Sequence, residues 1–148
     1  MSSFQFDSST TSPTPYELEY PAYFGGRFRI PKDNPTTVEG VQLGRRLFYE
    51  KALSANGVIS CATCHRQELA FTDGLTFSRG VDGSLTPRNA MSLANLLWVR
   101  NLFWDGRSPS LEEQAKIPLT NVHEMGQSLE ASSAKLQEMA PYPELFRK

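Results

Sequence analysis

Apolar positions recur at helical spacing in several separate stretches of the chain, divided by segments rich in Gly, Pro and Ser. The first opens on Thr36-Thr37-Val38-Glu39, which reads as a capping box just after Pro35, and continues through Val38, Val41, Leu47 and Phe48. It predicts a helix from near Thr36 that ends by Ala52, before the polar turn Ser54-Ala55-Asn56-Gly57. A short helix is expected from Ser60-Cys61 to Glu68, where no breaker intervenes. Asp73 to Arg88 contains Gly74, Gly80, Gly83 and Pro87 and reads as a long loop, a feature that in small domains usually serves function or wraps a ligand. Met91 to Val99 is apolar enough for a buried helix. Ser110-Leu111-Glu112-Glu113 is a second capping box, opening a helix expected to stop near Pro118. Ser128 caps a last amphipathic helix, with Leu129, Ser133, Leu136 and Ala140 on one side, that ends at Pro141.

Residues 1–35 read as an extended arm, because Pro13, Pro15 and Pro21 break any helix; its aromatics Tyr16, Tyr20, Tyr23 and Phe24 are available to pack on a neighbouring surface. No alternating pattern marks a strand, and no repeat is present. The fold class is therefore all-α with much loop, and 148 residues make one domain.

Charge narrows the partners. A net charge of −1 offers no basic excess to neutralise phosphates, so nucleic acid is not an expected partner. No run of about eighteen apolar residues is present to span a membrane. Met1 to Pro15 is rich in Ser, Thr and Pro and lacks the charged start and apolar run of a secretory leader, so a leader is expected to have been removed.

The two cysteines of the chain, Cys61 and Cys64, are followed directly by His65. C-x-x-C-H is the pattern of covalent haem c attachment: two thiols one turn apart reach two vinyl groups, and the adjacent imidazole sits under the iron. A zinc site would need four ligands, with His123 the remaining histidine and no further cysteine. A dithiol redox motif would want a βαβ context, which the pattern does not supply.

The surrounding residues carry a resemblance. Leu43-Gly44-Arg45-Arg46-Leu47-Phe48, Leu53-Ser54, the haem motif, Phe71-Thr72-Asp73-Gly74, Arg88-Asn89, Phe103-Trp104-Asp105-Gly106-Arg107, Leu111 to Ala115 and Asn121 to Met125 occur in the order of the N-terminal haem domain of the bacterial di-haem cytochrome c peroxidases. That family includes the MauG-like enzymes, and the similarity runs over about residues 36–146. It implies a cytochrome c-like haem domain at 36–148 that reduces hydrogen peroxide to water.

The resemblance also implies roles. Glu124 matches the distal glutamate that moves protons, although by residue type alone it reads as a solvated surface carboxylate. Gln114 matches the glutamine of the same pocket, which orients the peroxide. Trp104 matches a tryptophan near the haem, which serves either packing or the electron route. Phe103 and Arg107 are expected to build the pocket. Asn89 matches an asparagine that helps to bind calcium between two haem domains.

Two departures from the family pattern stand out. Many members carry a histidine in the loop before this asparagine, as a sixth iron ligand; Ser78 to Thr86 has none, so the distal face is expected to be open. His123, Met91 and Met125 remain as candidate sixth ligands, with Met125 expected to pack behind the glutamate. Members also carry a second C-x-x-C-H in a C-terminal domain, so this chain is expected to be a fragment or one piece of a split protein. Electrons would arrive from that second haem domain or chain, and ultimately from a small cytochrome or cupredoxin. The rival readings are a MauG-like oxidase that modifies a protein substrate and a plain electron-transfer cytochrome. Haem attachment takes place outside the bacterial cytoplasm, so the resemblance implies the periplasm.

Overall fold

The computed structural model describes residues 12–148. It is all-helical, with five α-helices in chain order: α1 Val38–Tyr49, α2 Cys61–Cys64, α3 Leu111–Thr120, α4 Leu129–Glu138 and α5 Tyr142–Leu145. Among the described residues the β-structure is limited to isolated bridges.

The caps explain where the long helices start. Thr37, one residue later than the sequence suggests, accepts from the Gly40 N–H at 3.0 Å and begins α1. Glu39 does not close the box. Its carboxylate accepts from the Thr14 N–H at 2.9 Å, and the Val38 N–H donates to the Thr14 carbonyl at 2.8 Å, which pins the N-terminal segment to the start of the helix. Ser110 and Ser128 cap α3 and α4, accepting from Glu113 N–H (3.2 Å) and Ala131 N–H (3.0 Å), and of the box expected at Ser110 only this serine half forms.

Three expectations are corrected. The haem-motif helix does not reach Glu68: α2 ends at Cys64, and a 3-10 turn follows at Gln67–Leu69. Ala70 and Phe71 then take left-handed backbone (φ 52 and 60), which reverses the chain and pairs Arg66 with Thr72. The helix expected over Met91 to Val99 shrinks to one 3-10 turn, Leu96–Trp98. Ser92 accounts for part of this, because its hydroxyl donates to the Ala70 carbonyl (2.6 Å) and accepts from the Ala94 N–H (3.2 Å), competing with the helical bonds. Finally, α3 passes through Pro118 to Thr120. Proline so near the end forfeits one helical bond, and the following turn satisfies the last carbonyls: Asn121 N–H donates to Ile117 O, Met125 N–H to Pro118 O and Gln127 N–H to Leu119 O.

The core joins the C-terminal helices to the haem motif. Leu53, Met125, Leu136 and Tyr142 are buried together, with Leu43, Leu47, Ile59, Cys61 and Leu119 packed against them. A second cluster forms around Trp98, ringed by Tyr20 (5.3 Å between centroids), Phe24 (4.8 Å) and Phe28 (5.5 Å), while its Nε1 donates to the Gly25 carbonyl at 2.9 Å. Tyr20, Phe24 and Phe28 of the N-terminal segment thus pack on the chain itself, while Tyr23 stays 86% exposed.

Candidate haem centre

Ser60, buried, precedes α2, and its N–H donates to Thr63 Oγ1 at 3.0 Å, so the motif starts on a fixed turn. The helical turn of α2 places Cys61 and Cys64 on adjacent levels of one face. Both thiols are free. Burial pushes both pKa values up; at Cys64 the carboxylates of Asp73 and Glu124 add to the rise, against a hydrogen bond from Ser78 that lowers it. Among the described residues no group of three or more His, Cys, Asp and Glu converges as a metal ion would need.

His65 follows the helix and is half-buried. Its Nδ1 lies 2.8 Å from the Phe71 carbonyl oxygen, to which it donates. The left-handed pair Ala70-Phe71 is what turns that carbonyl toward the ring, a backbone that costs about 1 to 3 kcal/mol per residue and persists only where its surroundings hold it. With Nδ1 carrying the proton, Nε2 keeps its lone pair, as an iron ligand must. The donor set therefore fits haem c.

Glu124 lies in the turn after α3, half-buried, and its Oε1 accepts from Asn121 Nδ2 at 2.8 Å. Its neighbour Met125 is buried in the core against which Cys61 packs. Gln114 is half-buried on α3; among the described residues no hydrogen bond joins its side chain to Glu124. Met125 is buried in the core beside Leu136 and Tyr142, so its thioether is engaged in packing. His123 is exposed and paired with Asp82 through Nδ1 at 2.8 Å, which together with Ser84 brings the Asp82 carboxyl down to about 2.

Trp104 is 62% exposed, and its Nε1 donates to the Asn89 carbonyl at 3.1 Å. Both residues line a cleft of about 620 Å³ with Thr72, Leu75, Phe77 and Arg88. Beneath them Asp105 bridges Arg88 (2.9 Å) and Arg107 (2.8 Å), and Arg107 lies 3.5 Å over the Phe103 ring. The structure thus joins Trp104 to Asn89, and Glu124 to Asn121.

Several residues that the sequence reading quoted were given no role by it. Asp73 is buried next to the motif and accepts from Ser78 Oγ at 2.6 Å, and Ser78 is itself buried. Nothing in the local sequence marks this pair, which meets only through the loop's path. Asn121 was recoverable, because an Asn three residues before a Glu is within reach of it in a turn.

Comparison with known proteins follows the same lines. The profile of the family described as di-haem cytochrome c peroxidase matches residues 38–148. The methylamine utilization protein MauG of Methylorubrum extorquens is 43% identical over 117 residues, which are 79% of this chain and 33% of that protein. The cytochrome c551 peroxidase of Nitrosomonas europaea is 36% identical over 114 residues, 77% of this chain and 34% of that one. A solved MauG-like protein associated with microbial copper homeostasis superposes with a TM-score of 0.81 at 43% identity, covering 88% of this chain and 39% of its own. The chain spans about a third of the length of the curated relatives it matches.

Proposed function

The chain belongs to the di-haem cytochrome c peroxidase family, and on that premise we propose that residues 36–148 form a peroxide-reducing haem domain with residues 1–35 as an arm. One haem c is held by thioether bonds to Cys61 and Cys64, with His65 as the proximal ligand. The observation that carries this reading is the His65 Nδ1 to Phe71 hydrogen bond, which presents Nε2 beside two free thiols on one helical face. When bound, the haem supplies electrons to split the oxygen–oxygen bond of hydrogen peroxide.

The residues of the chain do the rest. Glu124, held by Asn121, takes a proton from one peroxide oxygen and returns it to the other, so that the leaving oxygen departs as water. Gln114 orients the substrate. The complete reaction takes up two electrons and two protons and yields two waters. Trp104, at the cleft, lies on the electron route from a second haem domain or chain, which is fed by a small cytochrome or cupredoxin. Asn89 contributes an oxygen to calcium if the second domain supplies the others. The compartment is the periplasm, where c-type haem is attached.

The MauG-named relatives and the MauG-like solved structure favour one second reading, an oxidase acting on a protein substrate. The exposed Trp104 suits that chemistry too, because oxidising equivalents would have to leave through the surface. The deciding experiment gives the haem-loaded protein peroxide and follows the Soret band in single turnover, with wild type and Glu124→Gln side by side. A slow variant supports the peroxidase site. Equal rates would remove Glu124 from it.

A further inference from the structure

Two segments far apart in the sequence are built against each other with almost no space between their backbones. Gly80 faces the turn that carries Glu124: a Cβ at this position would overlap the His123 carbonyl oxygen, lie 2.6 Å from the carbonyl carbon and come within 3.2 Å of the Glu124 Cα. Its neighbour Val81 donates its N–H to the Glu124 carbonyl at 2.7 Å. Asp82 then reaches His123 at 2.8 Å. From the other side, Asn56 Nδ2 donates to the Val81 carbonyl (3.0 Å) and the Ala55 N–H donates to the Met125 carbonyl (2.9 Å).

The loop that makes these contacts is itself closed. Gly80 N–H donates to Ser84 O at 2.9 Å, and both Ser84 N–H (2.9 Å) and Ser84 Oγ (2.8 Å) donate to the Asp82 carboxylate. At its foot, buried Ser78 donates to Asp73 Oδ2 and takes its own N–H to Thr86 Oγ1 at 2.9 Å. Asp73 follows the turn whose Phe71 carbonyl holds His65. Hydrogen bonds joined by short lengths of chain, Phe71 to Asp73 and Ser78 to Val81, therefore connect the support of the proximal histidine to the backbone of Glu124.

We propose that the loop 78–86 is a brace that sets the position of Glu124, with Gly80 and the Asp82–His123 pair as positioning residues. The proposal rests on the reading of Glu124 as the acid–base group. An acid–base side chain must stand within hydrogen-bond reach of the proton it moves, and a displacement of about 1 Å can cost on the order of 10²-fold in rate. Gly80→Ala forces the loop and the turn apart, because the atoms it meets are backbone and cannot swing aside.

The test uses the haem-loaded chain and reads two quantities: the single-turnover rate with hydrogen peroxide, and hydrogen exchange at the Val81 amide and across residues 121–126. Gly25→Ala is the control. It strains the chain at a left-handed glycine (φ 65) outside the loop and meets open space. The brace predicts that Gly80→Ala slows the peroxide step by roughly 10²-fold and speeds exchange of the turn, while Gly25→Ala does neither. Asp82→Ala should slow the step by less, with part of the rate recovered in Asp82→Asn, which keeps one acceptor oxygen for the Ser84 N–H and offers an amide N–H to His123 Nδ1; this pair decides the matter if Gly80→Ala does not take up haem. If Glu124→Gln slows the step and neither Gly80→Ala nor Asp82→Ala does, the brace is overturned and Glu124 keeps its role. If Glu124→Gln leaves the rate unchanged, the role of Glu124 falls and the brace with it.

Discussion

His65 donates from Nδ1 to the carbonyl oxygen of Phe71 across 2.8 Å, so a backbone group six residues away decides which ring nitrogen is available to a metal. Because the acceptor is main chain, no side-chain substitution removes it. Only a change in the left-handed backbone at Ala70 and Phe71 would turn it away.

That arrangement predicts one covalent haem per chain. Denaturing mass spectrometry of protein matured where haem c is attached should show the polypeptide mass plus one haem. Cys64→Ser should leave at most one thioether bond, and an unmodified polypeptide holding zinc would overturn the assignment of the motif.

Glu124→Gln should keep haem and fold, since Gln retains a carbonyl oxygen for Asn121, yet slow the peroxide step. A positioned acid–base group contributes roughly 10²- to 10⁴-fold, or about 3 to 5 kcal/mol of barrier. Stopped-flow absorbance at the Soret band measures it.

The oxidised haem should be at least partly high-spin. The loop Ser78 to Thr86 offers no imidazole, Met125 is buried in the core and His123 is exposed and paired with Asp82. Electron paramagnetic resonance reads this directly; a purely low-spin signal abolished by Met125→Leu or His123→Ala would establish the electron-transfer cytochrome instead.

Stability should depend on Tyr142 at alkaline pH. Its buried hydroxyl donates to Glu50 Oε2 at 2.7 Å, and burial followed by that carboxylate pushes its pKa up to about 12 from the usual 10. The unfolded chain ionises this phenol first, so the contribution is intact below about pH 10 and is lost as pH rises through about 12. Tyr142→Phe should cost about 1 to 3 kcal/mol at neutral pH and flatten the alkaline loss, as measured by denaturant unfolding across pH.

Turnover should require more than this chain, because reducing one peroxide takes two electrons and the family carries a second haem. Steady-state oxidation of a reduced cytochrome by the isolated chain should be slow, and should rise when a C-terminal haem domain of the family is supplied in cis or as a separate chain. Equal rates at equal haem would show a complete one-haem peroxidase.

Local chemistry was legible in the chain itself. The Cys61-Ala62-Thr63-Cys64-His65 spacing, the caps at Ser110 and Ser128 and the all-helical class follow from contacts within a few residues, which sequence order specifies directly. Where local signals misled, a distant partner had intervened. Met91 to Val99 lost its helix as Ser92 bonded to Ala70 and Trp98 entered the aromatic cluster with Tyr20, Phe24 and Phe28. Pro118 did not end its helix, because the turn from Asn121 to Gln127 satisfied the last carbonyls. Tertiary structure alone decided that Gly80 lies against Glu124, that Asp73 meets Ser78 and that Trp104 joins Asn89 rather than the glutamate. Such pairings depend on how loops close over one another, and a one-dimensional pattern of apolar and polar residues carries no record of that distance.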